Sequence, residues 1–200
     1  MKRTLLTIAV GTAVVAGLIA ASTADAHGPS ARTTLTTAGG TEIGTVEFRT
    51  DKNHTEVRVR LVGVPGIDAF HGFHIHANND DTASPGNGSG CITNDDPALA
   101  FISADLHYNP TNVAHGHHVG DMPVVYVNAD GSVETRFRID PIKPGDLDNR
   151  VVILHAGPDN YNNIPLGAGA KQYTAGADAA DLTARTGNAG NRAACGVIHS

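Results

Sequence analysis

The sequence predicts an all-β fold, a Greek-key β-barrel or sandwich of the immunoglobulin-like kind interrupted by long loops. Three observations predict it. Apolar and polar residues alternate over short runs, as strands with one buried face require. Helical spacing is weak along most of the chain. Turn formers punctuate the runs: the 200 residues include 23 glycines and 10 prolines. Short alternating strands between such turns favour antiparallel packing.

The first 26 residues read as a secretory signal peptide. Lys2 and Arg3 precede Leu5–Ala21, which is almost wholly apolar, and Ala24-Asp25-Ala26 has the small-x-small cleavage pattern. Cleavage there would expose His27 as a new N-terminus and leave residues 27–200 as one domain. A membrane anchor is the competing reading. The run is short and rich in Ala and Gly, whereas a spanning helix wants ~20 strongly apolar residues. The cleavage region has no cysteine for lipid attachment. The protein is expected to be exported to an extracellular, cell-wall or periplasmic location, with no stable membrane insertion after cleavage.

Strands follow in order. Thr41–Thr50 reads as one, and the polar turn Asp51-Lys52-Asn53-His54 joins it to a second over 55–62, where Val57, Val59 and Leu61 alternate with Glu56, Arg58 and Arg60. Phe73–His76 is another candidate. Val124–Val127 and the alternating run Val133–Asp140 flank Ala129-Asp130-Gly131, and Asp-Gly between strand patterns is a hairpin signal. Val151–Leu154 is a short buried run. Residues 77–105, 107–121 and 156–194 fit no strand, and loops that long in one domain are functional or disordered. Within the last, Ala175–Arg185 is Ala-rich enough for a short helix.

The formal charge of −6, the lack of a Lys/Arg run and the absence of tryptophan make a nucleic-acid surface a poor fit. The two cysteines, Cys91 and Cys195, are read as one disulfide of an exported protein or as two free buried thiols.

Histidine carries the chemistry. The chain has 11, and seven of them fall in three places. Phe73-His74-Ile75-His76 puts two imidazoles on one strand face. The segment 107–121 supplies His107, His115, His118 and Asp121. His155 ends the run Val151–Leu154. Neutral imidazole with a free nitrogen is a common metal ligand. Three or four together suit Cu, Zn, Fe or Ni, and three imidazoles with one carboxylate form a tetrahedral set that suits zinc. Two ligand groups imply two metals, or one metal and spare histidines.

Five stretches then occur in a familiar order: GFHIH (72–76), HYNP (107–110), HVGDMP (118–123), VVILH (151–155) and GNAGNRAACGVI (187–198). With them the chain resembles the exported bacterial copper/zinc superoxide dismutases over about Thr34 to Ile198. The resemblance implies copper on His74, His76, His107 and His155, and zinc on His107, His115, His118 and Asp121. His107 would bridge the metals and exchange a proton during a copper redox cycle that converts superoxide to dioxygen and hydrogen peroxide. Arg192 would attract the anion. Asp159 would hydrogen-bond His74 and His115, and Cys91 and Cys195 would form the disulfide fixing the loop beside Arg192. The protein would act as a monomer or homodimer.

Two departures from that family stand out. Only Gly116 and His117 separate His115 from His118, a short loop that puts zinc geometry in question and makes His117 an alternative ligand. The excursion from His155 to Arg192 is long, and its Lys171 and Arg185 read as steering charges or as plain solvated ones. His71 is expected to bond a backbone carbonyl, and His54 to sit in a turn. A relative that binds or buffers copper and zinc without catalysis is the alternative function, although such a protein has no need of Arg192.

Overall fold

Alternating burial turns most of the short runs into one curled antiparallel sheet. The computed structural model describes residues 30–66, 69–79, 88–167, 173–174 and 178–200. The expectations for residues 1–26, His27 and Lys171 lie outside them. In chain order the strands are β1 (Ala31–Thr37), β2 (Glu42–Thr50), β3 (Thr55–Leu61), β4 (Ala69–His71), β5 (Phe73–His76), β6 (Val125–Val127), β7 (Val133–Ile139), β8 (Val151–His155), β9 (Leu166–Gly167), β10 (Tyr173–Thr174) and β11 (Arg192–Val197). Two short helices accompany them, α1 (Pro144–Leu147) and α2 (Ala179–Thr186).

β3 shows the rule. Thr55, Val57, Val59 and Leu61 are buried, while Arg58 and Arg60 face solvent. It pairs with β2 on one side and β7 on the other, matching Val46 to Val59 and Val57 to Phe137. The full order is β5-β8-β11-β1-β2-β3-β7, so the chain crosses between non-neighbouring positions as a Greek key does. β4 and β6 form a separate ribbon. One core fills the curl, with Leu35, Val46, Phe48, Val59, Phe73, Ile75, Val152 and Leu154 from the sheet and Val125 and Val127 from the ribbon.

The observed architecture is the all-β one that the sequence predicts. Two details differ. The Asp130-Gly131 turn forms, with Gly131 at φ 77° and Asn128 N–H donating to Ser132 O at 2.9 Å. Its flanking strands then part: β6 pairs with β4, and β7 with β3. The expected helix starts later, at Ala179, and Gly187 ends it in the left-handed conformation (φ 65°).

A second, smaller core lies on the opposite face of β8 and β11. Val151, Ile153 and Cys195 pack there against Ala100, Phe101 and Ala104. Cys195 is bonded to Cys91, with Cα atoms 5.6 Å apart and a sequence separation of 104. The bridge staples the 88–105 loop to the sheet. Closing a loop that long restricts the unfolded chain by ~4–5 kcal/mol. Replacing both cysteines with serine should therefore lower the unfolding free energy of the metal-free protein by ~3–5 kcal/mol, read from urea midpoints at unchanged slope.

Candidate metal centre

The outer face of β5 and β8 assembles the first donors. Strand alternation sends His74 and His76 to the side away from the main core. The β5–β8 register sets His74 opposite Ile153 and His76 opposite Val151. His155, two residues past Ile153, shares their face. β11 continues the surface, with Cys195 opposite Ile153, but Arg192 rather than residue 193 lies opposite His155. That extra residue is a β-bulge, and it turns Arg192 onto the histidine face.

The histidine loop is stitched to the free edge of β5. Tyr108 N–H donates to Ile75 O, Ile75 N–H to Gly120 O, and Ala77 N–H to Leu106 O, each at 2.8 Å. Isolated bridges set His107 beside His76 and Asp121 beside His74. A loop of little regular structure thus acquires strand-like precision at its two ends.

Four imidazoles, those of His74, His76, His107 and His155, converge with one donor nitrogen each inside 4.8 Å of the others. All four are buried. In every ring one nitrogen is held and the other is not. His74 Nε2 donates to Asp159 Oδ2 (2.9 Å), His76 Nδ1 to Asp105 O (2.7 Å), His107 Nδ1 to Asp121 Oδ1 (2.9 Å) and His155 Nδ1 to Gly190 O (3.1 Å). The other nitrogens, His74 Nδ1, His76 Nε2, His107 Nε2 and His155 Nε2, are buried without a hydrogen-bond partner. At His74, His76 and His155 the held nitrogen carries the hydrogen and the free one presents a lone pair, while His107 Nδ1 faces the second group, where a metal would take the place of its hydrogen. Burial favours the neutral rings: it pulls His74 and His107 down to about 3, and His76 and His155 well below the usual value. Each buried unpaired nitrogen costs ~1–3 kcal/mol. A metal ion among them removes that cost.

The second group meets on Asp121 Oδ1. His107 Nδ1 lies 2.9 Å from it, His118 Nδ1 3.2 Å and His115 Nδ1 3.3 Å. His118 Nδ1 is also 3.3 Å from His107 Nδ1. Donors at ~2.0–2.1 Å from a tetrahedral zinc stand ~3.3 Å apart, so this N₃O set has the right size. His74 also comes within 4.8 Å of His107, His115 and Asp121. Its Nε2 is taken by Asp159, however, and its Nδ1 belongs with the four-nitrogen group. Burial alone would raise the Asp121 carboxyl, but the imidazoles of His107, His115 and His118 grouped around it outweigh that and hold the group far below the usual carboxylate range. Its Oδ2 accepts the Gly116 and His118 backbone N–H groups, which ties the short loop to its own ligand. His117 is exposed and belongs to neither group.

Asp159 is buried and links the groups from behind. It takes His74 at 2.9 Å and stands 3.8 Å from His115 Nε2, an ion-pair separation rather than a hydrogen bond. Burial raises its carboxyl. A Cβ on Gly72 would sit 2.6 Å from Asp159 Oδ1 and 3.1 Å from His74 Cε1, so only glycine leaves the carboxylate room. Arg192 is half-buried, its guanidinium donating to Phe101 O and to Asp105 O (2.5 Å). Asp105 O therefore serves both Arg192 and His76. His71 is buried with its ring nitrogens 2.7 Å from His155 O and 2.6 Å from Gly66 O, the structural role expected of it.

Sequence reasoning missed the carbonyls of Phe101, Asp105, Gly190 and Val113, the last accepting from His118 Nε2 at 3.1 Å, which orient donors through the backbone and leave no side-chain signal. It also missed Tyr161, whose ring stacks on His115 at 5.3 Å between centroids and 9° between planes. A cavity of about 550 Å³ opens on the far side of His107 and His118, walled in part by Arg150 and Arg185. Both guanidinium groups are engaged. Arg150 stands over Tyr108 and bonds Ala77 O and Asp146 O, while Arg185 pairs with Asp181 at 3.1 Å.

Comparison with known proteins agrees with this chemistry. The family model described as copper/zinc superoxide dismutase (SODC) matches residues 42–198. An extracellular Cu-Zn superoxide dismutase of Brugia pahangi is 33% identical over 165 residues, spanning 78% of this chain and 68% of that one. A Cu-Zn superoxide dismutase of Mycobacterium bovis is 32% identical over 192 residues, spanning 88% and 74%. The solved Cu/Zn superoxide dismutase of Brucella abortus superposes with a TM-score of 0.58 at 26% identity, covering 84% of this chain and 98% of that one.

His155→Ala removes a donor from the four-nitrogen group alone. Elemental analysis of the variant after loading with both metals should find copper largely lost and zinc retained; equal loss of the two would contradict the division into two groups.

Proposed function

The chain belongs to the copper/zinc superoxide dismutase family, and we propose that it dismutes superoxide with copper held by His74, His76, His107 and His155 and zinc held by His107, His115, His118 and Asp121. Two superoxide anions and two protons become one dioxygen and one hydrogen peroxide. Bound copper supplies the one-electron chemistry, and zinc, which has none, supplies charge and geometry. The observation that carries the reading is the convergence of four unpartnered, buried ring nitrogens on one face of β5 and β8.

His107 faces both groups through its two nitrogens. It is therefore the ring assigned as the bridge, and its Nε2 is the atom that would hold a proton between the two half-reactions. Asp121 and Asp159 orient the rings around it.

Arg192 binds and guides the anion. A chain of net charge −6 repels superoxide at a distance, so attraction has to be local. The guanidinium is fixed by two backbone carbonyls, which leaves its remaining N–H groups free to meet a small anion. Burial lowers Arg192 to about 10, which still leaves it a cation at neutral pH. That fixed cation favours catalysis over mere metal storage.

Export is part of the proposal. The apolar leader, the Cys91–Cys195 disulfide and the extracellular Brugia pahangi relative support a site of action outside the cytoplasm. Among the described residues no helix is long and apolar enough to cross a membrane. The working form is taken as a monomer or homodimer.

The primary test is the dismutation rate of the copper- and zinc-loaded protein with free copper excluded; metal uptake without a rate above background would sink the reading. Arg192→Ala should lower the rate by roughly tenfold and flatten its fall with salt. The wild-type rate should also decline as pH rises through about 10, because the guanidinium then loses its charge. Arg192→Ala should lack that limb, a comparison made in pulse-generated superoxide across pH.

A further inference from the structure

The short 115–118 loop is held from outside. His115 N–H donates to Ala184 O of α2 at 2.8 Å. Tyr161 lays its ring parallel to the His115 imidazole, and its hydroxyl donates to Asp159 Oδ2 at 3.2 Å. Gly187 closes the far side: a Cβ there would lie 2.5 Å from His115 Nε2 and 2.7 Å from Asp159 Oδ1. These residues all come from the long excursion between β8 and β11. The excursion is itself knitted together, with Asn160 N–H donating to Gly187 O (2.7 Å), Gly157 N–H to Ala189 O (2.9 Å) and Tyr173 Oη to Pro158 O (2.7 Å).

We propose that Asp159, Tyr161, Ala184 and Gly187 of the excursion form a clamp on the second metal group, with Tyr161 as the positioning residue that fixes the His115 ring and the Asp159 carboxylate together. His115 needs such support. Its ring nitrogens make no hydrogen bond, unlike those of His74, His76, His107 and His155, each of which is locked by a carbonyl or carboxylate. A flat aromatic face restrains an imidazole against tilting, and the hydroxyl holds the carboxylate that backs it. Contacts from the excursion thus support the short ligand loop. The inference rests on reading His107, His115, His118 and Asp121 as the zinc site.

The test is zinc release from the copper- and zinc-loaded protein into a chromogenic chelator, with Co²⁺ in place of zinc as a spectroscopic probe. Tyr161 is 45% exposed, so its variants should fold. Tyr161→Leu should release zinc on the order of tenfold faster than wild type, with altered Co²⁺ visible bands and unchanged copper content. Tyr161→Phe keeps the ring and should recover most of the slow release and the wild-type bands. Gly187→Ala, with Tyr161 intact, should also speed release. Wild-type zinc occupancy with Tyr161→Leu identical to it in release and spectrum would overturn the clamp alone. A wild-type protein that takes up no zinc would overturn the zinc assignment and the clamp with it.

Discussion

A buried imidazole has two nitrogens to satisfy, and the structure depends on how each pair is divided. At His74, His76, His107 and His155 one nitrogen is given to an oxygen of the protein and the other is aimed inward with nothing to meet. The oxygen selects the tautomer and the ring orientation. Burial then keeps the ring neutral and its lone pair available. Neither half suffices alone: a solvated histidine would be unaimed, and a buried one without its oxygen would be free to turn.

The fold exists to supply those oxygens at the right places. The main core lies on one face of the sheet, which leaves the other face of β5, β8 and β11 for chemistry. The small core around Ile153, Phe101 and Cys195 is adjacent to it, and the disulfide holds the 88–105 loop against it. That loop ends in Asp105, whose carbonyl serves His76 and Arg192 at once. Asp105 has φ 65°, a conformation uncommon for a residue with a side chain. Surrounding structure must hold it there, and the stapled loop does so. The bulge in β11 completes the arrangement by bringing Arg192 alongside His155.

Charge is arranged on two scales. Over the whole chain it is acidic and opposes an anionic substrate. At the centre two carboxylates, Asp121 and Asp159, are turned toward imidazoles, while the half-buried guanidinium of Arg192 donates to the carbonyls of Phe101 and Asp105 and also feels the Asp105 carboxylate. The two loops of unusual length also meet. The ligand loop is short, so it contributes little beyond its donors, and Ala184 and Tyr161 of the excursion make contact with it at His115.

The sequence by itself determined the strand character of β2, the alternation of β3 and β7, the candidate metal donors and the order of the motifs, because strand periodicity and imidazole chemistry are local properties. It did not disclose β1 or β11. Thr33 is buried where an apolar residue would have revealed β1, and Arg192–Val197 is Ala- and Gly-rich, with little of the β-branched character that marks strands. It signalled a turn at Asp130-Gly131 but not that β6 and β7 would separate, since pairing is decided by which neighbour completes the sheet. Tertiary structure alone decided which nitrogen of each histidine is free, that Asp105 and Gly190 orient two rings through their carbonyls, and that Tyr161 lies against His115. Those outcomes come from backbone oxygens and from residues far apart in the chain. They exist only once the strands are in register.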